Sequence, residues 1–186
     1  MATYNAIKYN VDYAGKAGSL VPISDTTISS GDSNVILTID GTYDEHFIIF
    51  NAVHPSEANR DFGANFRSSG SSGNFNVGKQ TGFYRCTQEE NGSGHTFSYE
   101  SGKDVAGNSG SDFEIGSSLG NANHDSISGY MSIFNAGSTT FQKSFFIVAD
   151  ETHGGNIQIM SFVSGYVRTT DALTGIRFRM SSGDLD

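Results

Sequence analysis

The sequence ISGYMSIFNAGSTTFQKSFFIVAD, residues 127–150, carries the strongest β signal of the chain. Its two halves, 127–135 and 141–150, are rich in aromatic and β-branched residues, and the segment AGSTT lies between them. A short glycine-containing loop between two such runs is typical of a β-hairpin. We therefore predict two adjacent antiparallel strands in this stretch.

Similar runs lie on both sides of this hairpin. Downstream, NIQIMSFVSGYV (156–167) and LTGIRFRMS (173–181) predict a second strand pair across RTTDA. Upstream, five runs predict further strands: NVILTID (34–40), HFIIFNAV (46–53), DFGANFRS (61–68), TGFYRCTQ (81–88) and HTFSYES (95–101). HFIIFNAV is apolar on both faces, which predicts a central strand of its sheet.

The composition is that of an all-β protein. The chain has 23 glycines and 14 phenylalanines, only 17% of its residues are charged, and no long segment has helical spacing. Turns recur about every 8–12 residues, which is typical of a sandwich or barrel. We predict a single antiparallel, jelly-roll-like β-sandwich of about eight to ten strands over residues 21–186. Residues 1–20 show no sustained alternation and predict an extended N-terminal arm.

The charge and the cysteine count narrow the function classes. The net charge is −9, with 20 acidic and 11 basic side chains, which argues against nucleic acid as a partner because phosphate binding needs a cationic surface. The single cysteine, Cys86, excludes an internal disulfide framework and a cysteine zinc site, and it fits folding in a reducing cytoplasm. No apolar run approaches about 18 residues and no signal-peptide pattern is present, so we predict neither membrane insertion nor export.

A search for catalytic patterns favours a non-enzymatic protein. The five histidines lack metal-ligand spacing, and no nucleophile elbow, phosphate-binding loop or dinucleotide fingerprint occurs. Three pairs of acids are candidates for glycosidase chemistry: Glu89 with Glu90, Asp112 with Glu114, and Asp150 with Glu151. All three pairs fall at predicted turns, where acids normally face water. We therefore predict no catalytic residues.

Residues 102–126 form a polar, glycine-rich stretch that predicts a long loop. Within it, Asp104, Asn108 and Asp112 are followed by Glu114, and hard oxygen ligands on a pliable loop are what calcium requires. The spacing matches neither the EF-hand nor the nonapeptide calcium repeat. We predict a solvated loop and no cofactor, with calcium as the alternative.

Three segments resemble the small virion structural or tail-fibre-like proteins of marine tailed phages: MATYNAIKYN (1–10), ISGYMSIFNAGSTTFQKSFF (127–146) and VSGYVRTTDALTGIRFRMSSGDLD (163–186). ISDTTISSG (23–31) and IIFNAVHPSEANRDFGANF (48–66) are similar to further elements of that family, in the same order. The resemblance spans essentially the whole chain. None of these motifs is catalytic, so the resemblance indicates a family more firmly than it indicates a molecular role.

The resemblance implies a non-enzymatic virion protein, assembled in the host bacterial cytoplasm and displayed on the particle as a capsid decoration or a fibre component. Its partners would be other phage virion proteins and further copies of itself, with a trimer expected by analogy with phage fibres. A host surface glycan or protein would meet the glycine-rich loops 68–78 and 102–126. A receptor-binding tail fibre, a glycan-degrading domain and a capsid cement protein are the alternatives.

Two sets of residues are candidates for these contacts. The arm and the last predicted strand would touch the virion or a neighbouring subunit through Tyr4, Ile7, Tyr9, Arg177 and Arg179. The long loop would offer Asp104, Asn108, Asp112, Asn121 and Asn123 to the host surface.

In the family, a short strand follows the segment that corresponds to MSSGDLD, whereas this sequence stops at Asp186. We therefore expect either a truncated chain or an open sheet edge beside residues 173–181, which another chain could extend. Arg177 and Arg179 on the polar face of that strand would suit an acidic neighbour. The alternative is two solvated arginines on an outer face.

Overall fold

The computed structural model describes residues 20–107 and 110–186, together with the backbone of the paired strands β1 (Asp12–Tyr13) and β2 (Lys16–Ala17). The candidates Tyr4, Ile7, Tyr9 and Asn108 lie outside the described residues. The remaining strands are β3 (Val35–Thr38), β4 (Glu45–Val53), β5 (Arg60–Ser68), β6 (Lys79–Glu89), β7 (His95–Tyr99), β8 (Phe113–Leu119), β9 (Ile127–Phe134), β10 (Lys143–His153), β11 (Ile157–Val167) and β12 (Leu173–Met180). A single 3₁₀ turn, Ser101–Lys103, occurs among the described elements.

Strands β3 to β12 form one antiparallel ten-stranded assembly that folds into two layers. One layer has the order β3-β12-β5-β8, and the other has the order β4-β9-β10-β11-β6-β7. The layers join where His153 of β10 pairs with Leu119 of β8. With the β9–β10 hairpin set aside, the orders become β3-β12-β5-β8 and β4-β11-β6-β7, the two four-stranded sheets of a jelly roll. The predicted all-β, antiparallel, sandwich-like fold is confirmed.

Aromatic contacts between the layers build the core. Phe66 and Phe113, from the four-stranded layer, pack against Phe145 of the six-stranded layer with ring centroids 5.2 and 5.0 Å apart. Near the other end, Phe50 of β4 meets Phe62 of β5 at 5.6 Å. Inward-facing residues alternate with outward-facing ones along each strand, so the apolar inner faces meet in a single buried cluster.

The predicted hairpin over residues 127–150 is present as β9 and β10, but the predicted second pair is wrong. Strand β11 lies between β10 and β6, whereas β12 lies between β3 and β5 in the opposite layer. The segment RTTDA is thus a crossing between layers. It is held by the buried ammonium of Lys143, which donates to the carbonyls of Thr169 and Asp171 at 3.1 and 2.6 Å.

Two further differences concern position in the sheets. Strand β4 was predicted to be central, yet among the described strands it pairs with β9 alone. Its outward apolar side chains, such as Ile49, are exposed to solvent. The long loop predicted over 102–126 contains the strand β8, whose Phe113, Ile115 and Leu119 are fully buried. Glycine and two serines at 116–118 interrupt the apolar alternation of β8, so the sequence pattern is weak there.

The open edge predicted beside residues 173–181 is also wrong. Strand β12 pairs with β5 along its length and with β3 from Gly175 to Phe178. The following residues are tied down as well, because Leu185 is fully buried and exchanges backbone hydrogen bonds with Gly31 and Asp32. The polar face of β12 therefore belongs to the middle of a layer.

Candidate interaction face

The outward face of the six-stranded layer carries a row of apolar residues that crosses all six strands. In the antiparallel register Ile49 is opposite Tyr130, and Val148 is opposite both Tyr130 and Phe162. Phe162 is in turn opposite Tyr84, which is opposite Tyr99. Side chains directly opposite one another lie about 4.5–5.5 Å apart at Cβ. We call this set the aromatic row: Ile49, Tyr130, Val148, Phe162, Tyr84 and Tyr99.

The rows on either side extend the apolar surface. Phe47 and Phe146 flank the aromatic row on one side, with Ser132 between them. Met160, Cys86 and Phe97 are consecutive partners on the other side. We define the interaction face as the aromatic row together with Phe47, Phe146, Met160, Cys86 and Phe97.

Ring contacts make parts of this face continuous. Tyr84 has its ring centroid 5.0 Å from that of Tyr99 and 6.2 Å from that of Phe97. At the opposite end of the row, Phe47 and Tyr130 are 5.5 Å apart. These rings contact one another laterally, and their outward surfaces remain exposed to solvent.

The exposed apolar area of the face is large. Side chains of this size offer about 200 Å² each, so exposed fractions of 36–71% over eight of them correspond to roughly 800 Å². Exposed apolar patches beyond a few hundred Å² usually mark an interaction site. The eight side chains are Phe47, Ile49, Tyr84, Phe97, Tyr99, Tyr130, Phe146 and Phe162.

Charge is nearly absent from these rows. Among the outward positions of the three rows as described, Asp150 is the charged one, and it accepts a hydrogen bond from Gln158 at 2.8 Å. Depletion of charge together with enrichment in Tyr, Phe and Met is typical of the core of a protein–protein interface.

A shallow depression of about 420 Å³ lies at the β6–β7 end of the face. Its lining joins the apolar Phe97 and Met160 to the polar side chains of Gln88, His95 and Gln158. It is the part of the interaction face where hydrogen-bonding groups and an exposed ring lie side by side.

The predicted contact residues Arg177 and Arg179 lie on the outward face of the other layer and are engaged within the chain. Arg177 Nη2 donates to Asp112 Oδ1 at 3.0 Å, and Arg179 Nε donates to Asp112 Oδ2. Asn65 also donates to Asp112, at 2.7 Å. Burial alone would raise the pKa of Asp112, but these hydrogen bonds and the two guanidinium charges hold that pKa below its usual value.

Asp112 is therefore not the exposed loop carboxylate that was predicted, since its side chain is only 20% exposed and already paired. Asp104 is half-buried: its Oδ1 accepts from the backbone amide of Phe83 at 2.9 Å, and its Oδ2 accepts from the Tyr99 hydroxyl. Asn121 and Asn123 are exposed between β8 and β9, as predicted for a surface loop. Among residues 20–107 and 110–186, no group of three or more His, Cys, Asp or Glu side chains is arranged to hold a metal.

The predicted acid pairs are not all on turns. Glu114 lies in β8, where the Lys103 ammonium donates to it at 2.6 Å, and Glu151 lies buried in β10. Because adjacent residues of a strand face opposite ways, Asp150 points outward while Glu151 points into the sandwich. Burial raises the pKa of Glu151 to about 8, although the amide of Ser117 donates to both of its oxygens.

No protein-family model, no curated protein and no solved structure matches the chain. Within the part of the chain that the structure describes, no helix has the length and apolar character needed to span a membrane.

Proposed function

We propose that the protein is a non-enzymatic structural protein of a tailed-phage particle, a knob-like β-sandwich that assembles with further copies of itself through the interaction face. The virion assignment is supported by the resemblance of the quoted segments to that family. The assembly role is supported by one observation above all, the apolar row that runs uninterrupted across six strands.

A second copy of the chain is the partner that best fits this face. Two copies each carry a net charge of −9 and repel one another across most of their surfaces. A nearly uncharged apolar face is where that repulsion is weakest. Its roughly 800 Å² equals what one partner contributes to an interface of standard size.

The position on the particle follows from the same assignment. A short sandwich is suited to a capsid decoration or to the tip of a fibre, with the N-terminal segment as the attachment point. Asn121 and Asn123 lie in an exposed loop and remain the candidates for contact with a host surface. Phe75, in the loop 68–78 proposed for the same role, is instead half-buried against Arg67 and Arg177.

The assembly role is tested by Phe97→Glu, with Phe141→Glu as a matched control. Phe97 is 69% exposed within the interaction face, and Phe141 is 68% exposed in the loop between β9 and β10. Size-exclusion chromatography with light scattering should show an oligomer for the wild type and for Phe141→Glu. Phe97→Glu should shift the chain toward the monomer.

The measured mass also distinguishes assembly types. Pairing of one broad face with itself gives a two-fold dimer, whereas the fibre analogy expects a trimer. A monomeric wild type, or an unchanged oligomer for Phe97→Glu, would contradict the proposed interface. Cryo-electron microscopy of the phage particle tests the virion assignment: density on the shell means a decoration protein, density at the tail means a fibre component, and no copy in purified particles would overturn the assignment.

Recognition of a host glycan is the second candidate, favoured by the depression beside Phe97. Exposed rings stack on sugars while Gln88, His95 and Gln158 offer hydrogen bonds to hydroxyl groups. Titration of the protein with host-surface oligosaccharides, monitored by NMR, should then shift the resonances of these residues. The Phe97→Glu variant would lose both the shifts and the oligomer if one face served both roles.

A further inference from the structure

We infer that the outward face of the four-stranded layer holds an anion-binding site, in which Arg67 and Arg177 bind one oxyanion of the phosphate or carboxylate type beside Phe75. The inference is independent of the proposed function, because the two sites lie on opposite layers of the sandwich.

The register of β5 and β12 brings the two arginines together. Arg67 is opposite Gly175, and Arg177, two residues further along β12, is opposite Asn65. Arg67 and Arg177 are thus diagonal neighbours on one face. Both guanidinium groups lie over the ring of Phe75, with their central carbons 5.2 and 5.1 Å from its centroid.

Gly175 leaves the space that Arg67 occupies. A Cβ at position 175 would lie 2.7 Å from Arg67 Nε and 3.3 Å from its Cζ. Any larger residue there would push the guanidinium off the strand. The glycine and the Phe75 ring therefore hold Arg67 in a defined orientation, as a built site requires.

The hydrogen-bonding capacity of the pair is not used up. The Nε atoms of Arg67 and Arg177 are buried, and neither has a hydrogen-bond partner among the described residues. Arg177 and Arg179 share Asp112, but no ion pair within residues 20–107 and 110–186 involves Arg67. Because these Nε atoms are covered, an oxyanion would reach the pair through the terminal Nη nitrogens, of which Arg177 Nη2 already donates to Asp112.

The basic side chains around this pair also favour the binding of an anion. Three of the eleven basic side chains, Lys79, Arg177 and Arg179, gather around the carboxylate of Asp112, and Arg67 meets Arg177 at the ring of Phe75. Lys79 is fully buried and donates to the carbonyl of Ser111 at 2.6 Å. Burial lowers the pKa of Lys79 to about 8; the charge of Asp112 opposes that shift and the charge of Arg177 adds to it. In a chain of net charge −9, this is a local excess of positive charge.

Guanidinium chemistry fits oxyanions of this class. Its planar fork donates two parallel hydrogen bonds to a phosphate or a carboxylate, and stacking on an aromatic ring leaves the donor edges free. Lysine at position 67 would keep the charge but lose the fork.

The test is titration with inorganic phosphate and, separately, with acetate, at constant ionic strength balanced with chloride. Calorimetry and the thermal unfolding midpoint are recorded for the wild type, Arg67→Gln, Arg67→Lys and the control Arg60→Gln. Arg60 forms a surface ion pair with Glu57 at 2.6 Å and lies outside the site. We expect saturable binding and a raised midpoint for the wild type and Arg60→Gln, at least tenfold weaker binding for Arg67→Gln, and an intermediate effect for Arg67→Lys.

Binding of phosphate but not acetate would assign the site to phosphate groups, and binding of both would assign it to oxyanions including carboxylates. No saturable binding of either anion would overturn the inference. Equal binding by the wild type and both Arg67 variants would overturn it as well. Circular dichroism of each variant establishes whether it is folded. If Arg67→Gln does not fold, anion binding by Arg67→Lys is compared with that of the wild type instead. Loss of anion binding with an intact oligomer would separate this site from the interaction face.

Discussion

The backbone amide of Ser117 in β8 donates to both carboxylate oxygens of Glu151 in β10, at 3.1 and 3.2 Å, beside the point where the two layers join. Glu151 is 2% exposed. Lys103, Arg85 and Asp61 are the charged groups that act on it. A buried carboxyl group with one backbone donor is held largely in its neutral form at neutral pH.

This arrangement predicts that stability falls as the pH rises through the folded pKa of Glu151. That pKa is about 8 in the folded protein, against 4.5 as the reference value, so between these values the folded state holds a proton that the unfolded state has lost. Glu151→Gln should remove this dependence and gain up to roughly 5 kcal/mol relative to wild type by pH 9. The free energy of unfolding of both proteins is measured by urea denaturation at pH 5, 7 and 9. The exposed Glu90→Gln is the control, and parallel pH curves for wild type and Glu151→Gln would refute the prediction.

Gly116→Ala should destabilise the fold at the same junction. A Cβ at position 116 would lie 2.1 Å from Glu151 Oε2 and 2.4 Å from Ile127 Cδ1, so the strand or both side chains must move. We expect a loss of about 1–3 kcal/mol in the free energy of unfolding, measured by chemical denaturation. Gly102→Ala, where a Cβ meets nothing within 4 Å, should change little. Equal effects at the two positions would count against the close packing described for β8.

Phe145→Ala should be among the most damaging core substitutions. The ring contacts Phe66 and Phe113 across the interlayer space, so its removal leaves a cavity that both layers line. The expected loss is about 3–5 kcal/mol. Phe141 lies four residues earlier and is 68% exposed, so Phe141→Ala deletes a phenylalanine side chain that is mostly in solvent. This substitution should cost far less stability. Similar unfolding midpoints for the two variants would argue against a shared core.

Lys143→Met should loosen the crossing between β11 and β12. The substitution keeps the buried aliphatic chain but removes the donor to the carbonyls of Thr169 and Asp171. Losing these two hydrogen bonds from a charged donor to partly buried carbonyls costs about 1–3 kcal/mol, which denaturant unfolding would detect. Amide hydrogen exchange at residues 168–172 should accelerate relative to Ser144→Ala, a change on the outward side of the same strand. Unchanged exchange in that segment would show that the lysine does not hold it.

The strands were predictable because their residues alternate, and the β9–β10 hairpin because its loop is short. Pairing across the layers was not predictable in this way. Strand β12 follows β11 along the chain but lies in the other layer, and the lysine that fixes the crossing, Lys143, is 26 and 28 residues distant from its acceptors. Strand β8 was missed because glycine and serines carry no alternation signal.

The residues of the candidate sites could likewise be recognised locally, but their contacts across distant strands could not be predicted. Tyr84, Tyr99 and Tyr130 look scattered along the sequence, and only the register places them in one row. The available signal was the apolar character of both faces in HFIIFNAV (46–53), which predicted a central strand but here marks an exposed apolar face. Likewise, Arg177 and Arg179 were identified from their alternation in β12, whereas their shared partner Asp112 precedes them by 65 and 67 residues.

The inserted β9–β10 hairpin makes the sandwich asymmetric in width. With strands about 4.8 Å apart, two additional strands make one layer roughly 10 Å broader than a four-stranded sheet, so it forms a platform that overhangs the opposite layer. Tyr130, Phe146 and Val148 all sit on those two strands. The hairpin therefore widens the surface available for contact, while the other eight strands keep the order of a four-on-four sandwich.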